Sequence, residues 1–168
     1  MIYKEEDAII DKAKNFAIRA HEGQKYGTHS YSVHLLEVYK VAEKFQLSDN
    51  IKAACFLHDI LEDTNVKYYQ LKNMFGMDIA ELVYGVTDEL GRNRKECKQK
   101  THLKIVEMGV SCAILKLCDR IANMENAKRN ENSILNKYIE EHKDFSMIYH
   151  KLGITDRAIY KYYLNFIF

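Results

Sequence analysis

Four side chains interrupt apolar helical runs at places where burial would ordinarily demand hydrocarbon. His58 and Asp59 stand in the middle of IKAACFLHDILEDT, Asp119 stands inside ILKLCDRIAN, and His34 comes one position before the apolar pair Leu35-Leu36. A buried charge is costly unless it is paired or bound to a metal. Two imidazoles and two carboxylates make a mixed nitrogen and oxygen ligand set that suits Mn, Fe, Co or Zn and suits Ca poorly. Consecutive side chains on a helix diverge by about 100°, so His58 and Asp59 can both reach one ion. Glu62 and Asp63 follow them at a spacing of four, one turn above the ligands. A carboxylate placed there could take a proton from water acidified by a divalent ion. On spacing alone a second reading stands beside this one. His-Asp pairs also arise by chance, and the acidic end EDT also fits an ordinary polar helix C-terminus.

Helices must position these residues. The chain of 168 residues has no proline and seven glycines, which favours long helices joined by short turns. Strand signals are nearly missing. The periodicity predicts a helix from about Glu5 to His21, with Ala8, Ile9, Lys12, Phe16 and Ala20 on its apolar stripe, then GQKYGTHS as a loop. Further helices are expected over Tyr31 to Phe45 and, N-capped at Ser48-Asp49, through Ile51, His58 and Leu61 as the buried central helix. A short helix near Lys67 to Phe75, one from Asp78 to Glu89, a basic segment GRNRKECKQKTHLKIVEM and an apolar helix from Ser111 to Asn126 come next. Helices near Ser133 to His142, Asp144 to Leu152 and from Thr155 complete the chain. The expected architecture is a single-domain all-α helical bundle over residues 1–168.

Composition narrows the classes of function. Hydrophobic residues are 47% and charged residues 29%, which fits a folded globular domain and excludes a disordered chain. The formal net charge of +1 gives no field that would attract nucleic acid or a membrane, so neither is expected as a partner. No apolar run spans a bilayer, and the amino terminus MIYKEEDAIIDK is charged and helical in pattern, unlike a signal peptide. Cys55, Cys97, Cys112 and Cys118 are scattered without a CxxC pair and read as reduced thiols, so a cytoplasmic location is expected. Dinucleotide, P-loop and serine-hydrolase motifs are missing.

Taken in order, AIRAHEGQKY…YSVHLLEV, AACFLHDILEDT, FGMDIAELVYGVTDEL and ILKLCDRIANM resemble the HD-domain hydrolases of the Rel/SpoT type, over about residues 8–130. The remaining residues 131–168 are then C-terminal helices. Those enzymes and their small stand-alone relatives remove the 3′-pyrophosphate from guanosine alarmones such as ppGpp. The resemblance implies that His34, His58, Asp59 and Asp119 hold one Mn²⁺ ion. It implies that Glu62 and Asp63 activate and orient water, and that Tyr31 and Asn123 face substrate. The family's loop before the first ligand carries an arginine that stacks on guanine; here Lys25 to Ser30 has none, and Glu125-Asn126 replaces the usual Arg-Thr after Met124. These departures bear on base recognition and leave the metal set intact.

The segment Gly91 to Lys104 carries Arg92, Arg94, Lys95, Lys98, Lys100 and Lys104 against Glu96, and reads either as a phosphate clamp or as a solvated helix face. Arg92 and Arg94, nearest VTDEL, and Lys25 are the candidates for phosphate. Lys116 and Arg120 flank Asp119, and one of them either faces substrate phosphate or holds a carboxylate ligand. His21 reads as a partner of a ligand or as a core residue. The C-terminal aromatics complete the core or a contact between copies of the chain in a homo-oligomer. The expected activity is Mn²⁺-dependent hydrolysis of a small nucleotide, with ppGpp first. The alternatives are an adenine alarmone, a nicotinamide dinucleotide phosphate, a nucleoside monophosphate, or a non-catalytic nucleotide-binding module.

Overall fold

The computed structural model describes residues 5–168, with side chains from residue 8; the expectation for residues 1–4 lies outside the described residues. The elements run α1 (Glu5–Ala20), β1 (Lys25–Tyr26), β2 (His29–Ser30), α2 (Ser32–Lys44), α3 (Asp49–Leu57), α4 (Ile60–Asp63), α5 (Tyr68–Phe75) and α6 (Met77–Val86). They continue with α7 (Arg94–Met108), α8 (Val110–Arg129), α9 (Ile134–Glu140), α10 (His142–Lys151) and α11 (Ala158–Leu164). The all-α expectation holds. The loop before α2 adds a small antiparallel hairpin, with Lys25 opposite Ser30 and Tyr26 opposite His29, turned at Gly27 with φ +60°.

Helices α3 and α8 form the centre. Every residue of α3 from Ala53 to Leu57 is buried, and α8 buries Ala113, Leu115, Leu117, Cys118 and Ile121 among others. Helix α2 packs on both, and α1 packs on α3. The buried line of α1 runs through Ala13 and Ala17, small side chains that let the helices approach closely, whereas Lys12 on the expected stripe is exposed and donates to the Met74 carbonyl at 2.5 Å. Gly76 (φ +83°) separates α5 from α6, and Gly109 (φ +95°) separates α7 from α8. The C-terminal helices close the other side: Phe145, Tyr149, Tyr160 and Tyr163 are buried, and the Tyr149 hydroxyl donates to the Ala113 carbonyl at 3.1 Å. The terminal Phe168 is exposed. No helix among the described residues is long and apolar enough to cross a membrane.

One expected helix is two. The central helix stops at Leu57, Asp59 sits at φ −99° and ψ 0°, and α4 restarts at Ile60. Asp59 occupies the sparsely populated bridge region of backbone space. Its carbonyl still accepts from the N–H groups of Glu62 (3.1 Å) and Asp63 (2.9 Å), which keeps the acidic pair one turn on. The helix beginning at Met77 ends at Val86, not Glu89, and leaves residues 87–93 as a non-helical connection to α7.

Candidate metal centre and active site

The break in the central helix turns His58 and Asp59 toward one point with His34 from α2 and Asp119 from α8. His34 Nε2 lies 3.3 Å from His58 Nε2, 3.5 Å from Asp119 Oδ1 and 3.8 Å from Asp59 Oδ2. His58 Nε2 lies 2.8 Å from Asp59 Oδ2 and 3.7 Å from Asp119 Oδ1. Both histidines are buried. His58 Nδ1–H donates to the Cys55 carbonyl at 2.9 Å, which leaves the Nε2 lone pair for the cluster. Ligand atoms of His34, His58 and Asp59 all fall within 4.8 Å of one another, the spread expected of groups that share an ion.

The electrostatics fit a cation at this point. Burial opposes charge on His58, yet Asp59 and then Asp119 outweigh it and push the imidazole up to about 9. Burial likewise opposes charge on Asp59, but His58 holds its carboxyl well below the usual range. Asp119 is held low against burial by Lys116 first and then by His34 and His58. Without an ion the cluster thus retains a proton where its acceptors converge. Two imidazoles and two carboxylates are a donor set suited to a divalent transition metal.

Surrounding groups orient the four. The Tyr31 hydroxyl donates to Asp59 Oδ2, and burial together with the Asp59 charge keeps that phenol protonated as a donor. The Tyr26 ring stacks on His34 with centroids 4.7 Å apart. Asn123 donates from Nδ2 to the Asp119 carbonyl (3.0 Å) and to Asp119 Oδ1 (2.5 Å), and its Oδ1 accepts from Tyr26 (2.8 Å). The buried Lys116 ammonium lies 3.4 Å from Asp119 Oδ2, so of the two flanking cations it is the one on the carboxylate. Arg120 pairs instead with Glu141 at 3.0 Å, between the rings of Tyr138 and Phe145.

The acidic pair lies at the edge of this cluster. Glu62 Oε1 accepts from the Asp88 backbone N–H at 2.5 Å, and burial raises the Glu62 pKa against the pull of Lys116. Burial, aided by the Asp59 charge, also raises Asp63. His21 is buried, stacks on Tyr31 at 4.7 Å, and lies with Nδ1 2.8 Å from Gln24 Oε1. Gln24 Nε2 in turn donates to the Asp63 carbonyl at 2.6 Å. Gln24 and Asp88 were not singled out by sequence reasoning. Only the HEGQ and VTDEL motifs that contain them could have drawn attention to them.

The remaining candidates lie apart from the cluster. Lys25 is exposed on β1. Arg92 is exposed and pairs with Glu96, and Arg94 places Nε and Nη2 on Glu141 Oε1 at 3.1 and 3.0 Å. Neither arginine is bonded to the four converging residues. Beside Asn123 opens a cavity of about 420 Å³, walled by the hairpin from Tyr26 to His29, by Asn126 and Asn130 of α8, and by Asn132 and Tyr138. Among the described residues no lysine, arginine, aspartate or glutamate lines it.

This all-α bundle brings together two histidines and two aspartates from α2, the α3–α4 junction and α8, with an acidic pair beside them, and so carries a candidate divalent-metal centre. The HD domain family matches residues 13–155, and the chain belongs to that family. It is 30% identical over 162 residues to the bifunctional (p)ppGpp synthase/hydrolase SpoT of Escherichia coli K12, a match covering 90% of this chain and 23% of that protein. It is also 30% identical over 156 residues to the guanosine-3′,5′-bis(diphosphate) 3′-pyrophosphohydrolase of Spiroplasma citri, covering 86% of this chain and 20% of the relative. The chain thus spans less than a quarter of the length of these curated relatives. The solved structure of a metazoan SpoT ortholog, described as hydrolysing ppGpp, superimposes with a TM-score of 0.80 at 20% identity, over 100% of this chain and 97% of that one.

Proposed function

We propose that this chain is a metal-dependent phosphohydrolase acting on a small nucleotide, and that its substrate is ppGpp or a related 3′-pyrophosphorylated nucleotide. The observation that carries the reading is the convergence of His34, His58, Asp59 and Asp119 on one point, with Glu62 and Asp63 one turn beyond. Relatives named for this activity support the choice of substrate.

His34, His58, Asp59 and Asp119 would hold the ion, for which we propose Mn²⁺. Such an ion supplies Lewis acidity, polarising a phosphoryl oxygen and easing the deprotonation of water. The chain's own groups do the rest. Glu62, its affinity for protons raised by burial and its carboxylate fixed by the Asp88 N–H, accepts the proton from the attacking water. Asp63, held through its backbone by Gln24, orients that water. The water oxygen bonds to the phosphorus attached to the ribose 3′ oxygen, the bond between them breaks as the 3′ oxygen takes up the proton that water gave to Glu62, and pyrophosphate separates from the nucleoside 5′-diphosphate. The uncharged cavity beside Asn123 and Tyr26 suits the nucleoside. Lys25 and Lys116 offer charge to phosphates, and Arg92 and Arg94 can do so by exchanging Glu96 and Glu141 for phosphate oxygen. The described residues act together as one phosphohydrolase domain in this reading.

A panel of nucleotides incubated with the purified protein and Mn²⁺, read by product identity, tests the proposal. The expected products of ppGpp are guanosine 5′-diphosphate and pyrophosphate. Failure to hydrolyse any nucleotide on the panel would overturn the reading.

A further inference from the structure

Lys98, Lys100 and Lys104 of α7 all bond to one short stretch of chain. Lys98 Nζ donates to Asp88 Oδ2 at 2.6 Å, and Lys104 Nζ donates to the Thr87 carbonyl at 2.7 Å while pairing with Glu89 at 2.6 Å. Lys100 Nζ donates to the Leu90 carbonyl at 3.0 Å, and the buried Thr101 hydroxyl accepts from the Glu89 N–H at 2.8 Å. Each residue from Thr87 to Leu90 is therefore bonded to α7. A merely solvated face would not direct four side chains at consecutive residues.

Among the described residues the gripped stretch makes one hydrogen bond to the candidate active site, from the Asp88 N–H to Glu62 Oε1 at 2.5 Å, and the Asp88 carboxylate also feels the Lys116 charge. The grip on Asp88 itself comes from Lys98, whose side chain is largely covered. Asp88 Oδ1 is buried and has no hydrogen-bond partner, so the Lys98 ammonium is the only group among the described residues bonded to that carboxylate. Asp88 is half-buried and keeps the Lys116 charge nearby, but loss of Lys98 would remove that one hydrogen-bonded group and let the carboxylate shift, taking the Asp88 N–H away from Glu62.

We propose that α7 is a positioning helix for the active site, in which Lys98, through Asp88, fixes the peptide N–H that aims the Glu62 carboxylate. The proposal rests on the role given to Glu62 above. It assigns Lys98 and Asp88 as positioning residues that touch no substrate. A carboxylate misplaced by about 1 Å can cost on the order of 10²-fold in rate.

Hydrogen exchange at the Asp88 amide, followed by NMR, tests the grip without reference to turnover, and steady-state kinetics test its consequence. In Lys98→Met the Asp88 amide should exchange at least about tenfold faster, kcat should fall about ten- to hundredfold, and KM should stay within about twofold. Lys98→Arg should restore much of both, and Lys95→Met, a charge removed from the same helix, should change neither. If Lys98→Met fails to fold, Asp88→Asn, which keeps the backbone and shape, should give the same pattern. A raised KM with unchanged kcat would make Lys98 a substrate contact and overturn the proposal, as would unchanged exchange at Asp88. If the wild-type protein hydrolyses no nucleotide, the functional reading fails separately, while the exchange measurement still decides whether α7 fixes this peptide.

Discussion

Replacing Asn123 by alanine should weaken metal binding while leaving the protein folded. Asn123 sits one turn beyond Asp119 on α8, and its amide nitrogen donates to both the carbonyl and Oδ1 of that residue. Its own oxygen accepts from Tyr26, whose ring lies on His34, so one amide orients groups on two sides of the cluster. A hydrogen bond to a charged group contributes about 1.5–3 kcal/mol. Losing a group that orients a metal ligand commonly costs about 10–100-fold in affinity, or about 1.4–2.8 kcal/mol. The two figures agree, and Asn123→Ala should bind Mn²⁺ about 10–100-fold more weakly. Metal-free stability should fall by about 1.5–3 kcal/mol, the worth of the lost bond to Asp119, since Tyr26 can bond to water in place of Asn123. That loss corresponds to about 3–12 °C in Tm. Titration calorimetry of stripped protein with Mn²⁺, beside thermal unfolding of the same samples, separates the effects. A variant that binds the ion within about twofold of wild type would show that Asp119 needs no help from the amide.

Glu62→Gln and Asp63→Asn should retain the metal and lose about 10²–10⁴-fold in turnover, since both act on water; wild-type rates in both variants would refute their role. Because the folded-state pKa of His58 is raised to about 9, its stabilising contribution in metal-free protein is fully present below the unfolded value near 6.5 and is lost as pH rises through 9. The Tm advantage of metal-loaded over metal-free protein should therefore widen between pH 6.5 and 9, and a constant gap would contradict the assignment. Guanine should be preferred over adenine by less than about 100-fold in kcat/KM for matched 3′-pyrophosphates. The hairpin offers Lys25 and Tyr26 where an arginine would stack, and aromatic stacking accepts any base.

The residues proposed to do the chemistry were readable because each violates its own helix's pattern. Polar groups at His34, His58, Asp59 and Asp119 sit in runs that otherwise bury hydrocarbon, and the structure brings all four together. Apolar periodicity likewise foretold the helices, with ends shifted by a few residues. The break at Asp59 was not readable because no glycine or proline marks it. The shift in α1's buried line toward Ala13 and Ala17 depends on its packing against α3, which a single helix pattern does not contain. Gln24 and Asp88 escaped notice because they act on or through the backbone, which any residue carries. The basic segment was ambiguous for a different reason. Most of its partners, Asp88, Glu89, Leu90 and Glu141, lie outside it in sequence, so charge alone could not say what it would grip.

Under the proposed function, turnover depends on one ion held by His34, His58, Asp59 and Asp119. Stripped protein titrated with Mn²⁺ should regain ppGpp hydrolysis in proportion to metal bound, saturating at about one ion per chain, and His58→Ala and Asp59→Ala should retain neither ion nor activity. Full turnover by rigorously metal-free protein, or stoichiometric metal in both variants, would contradict it.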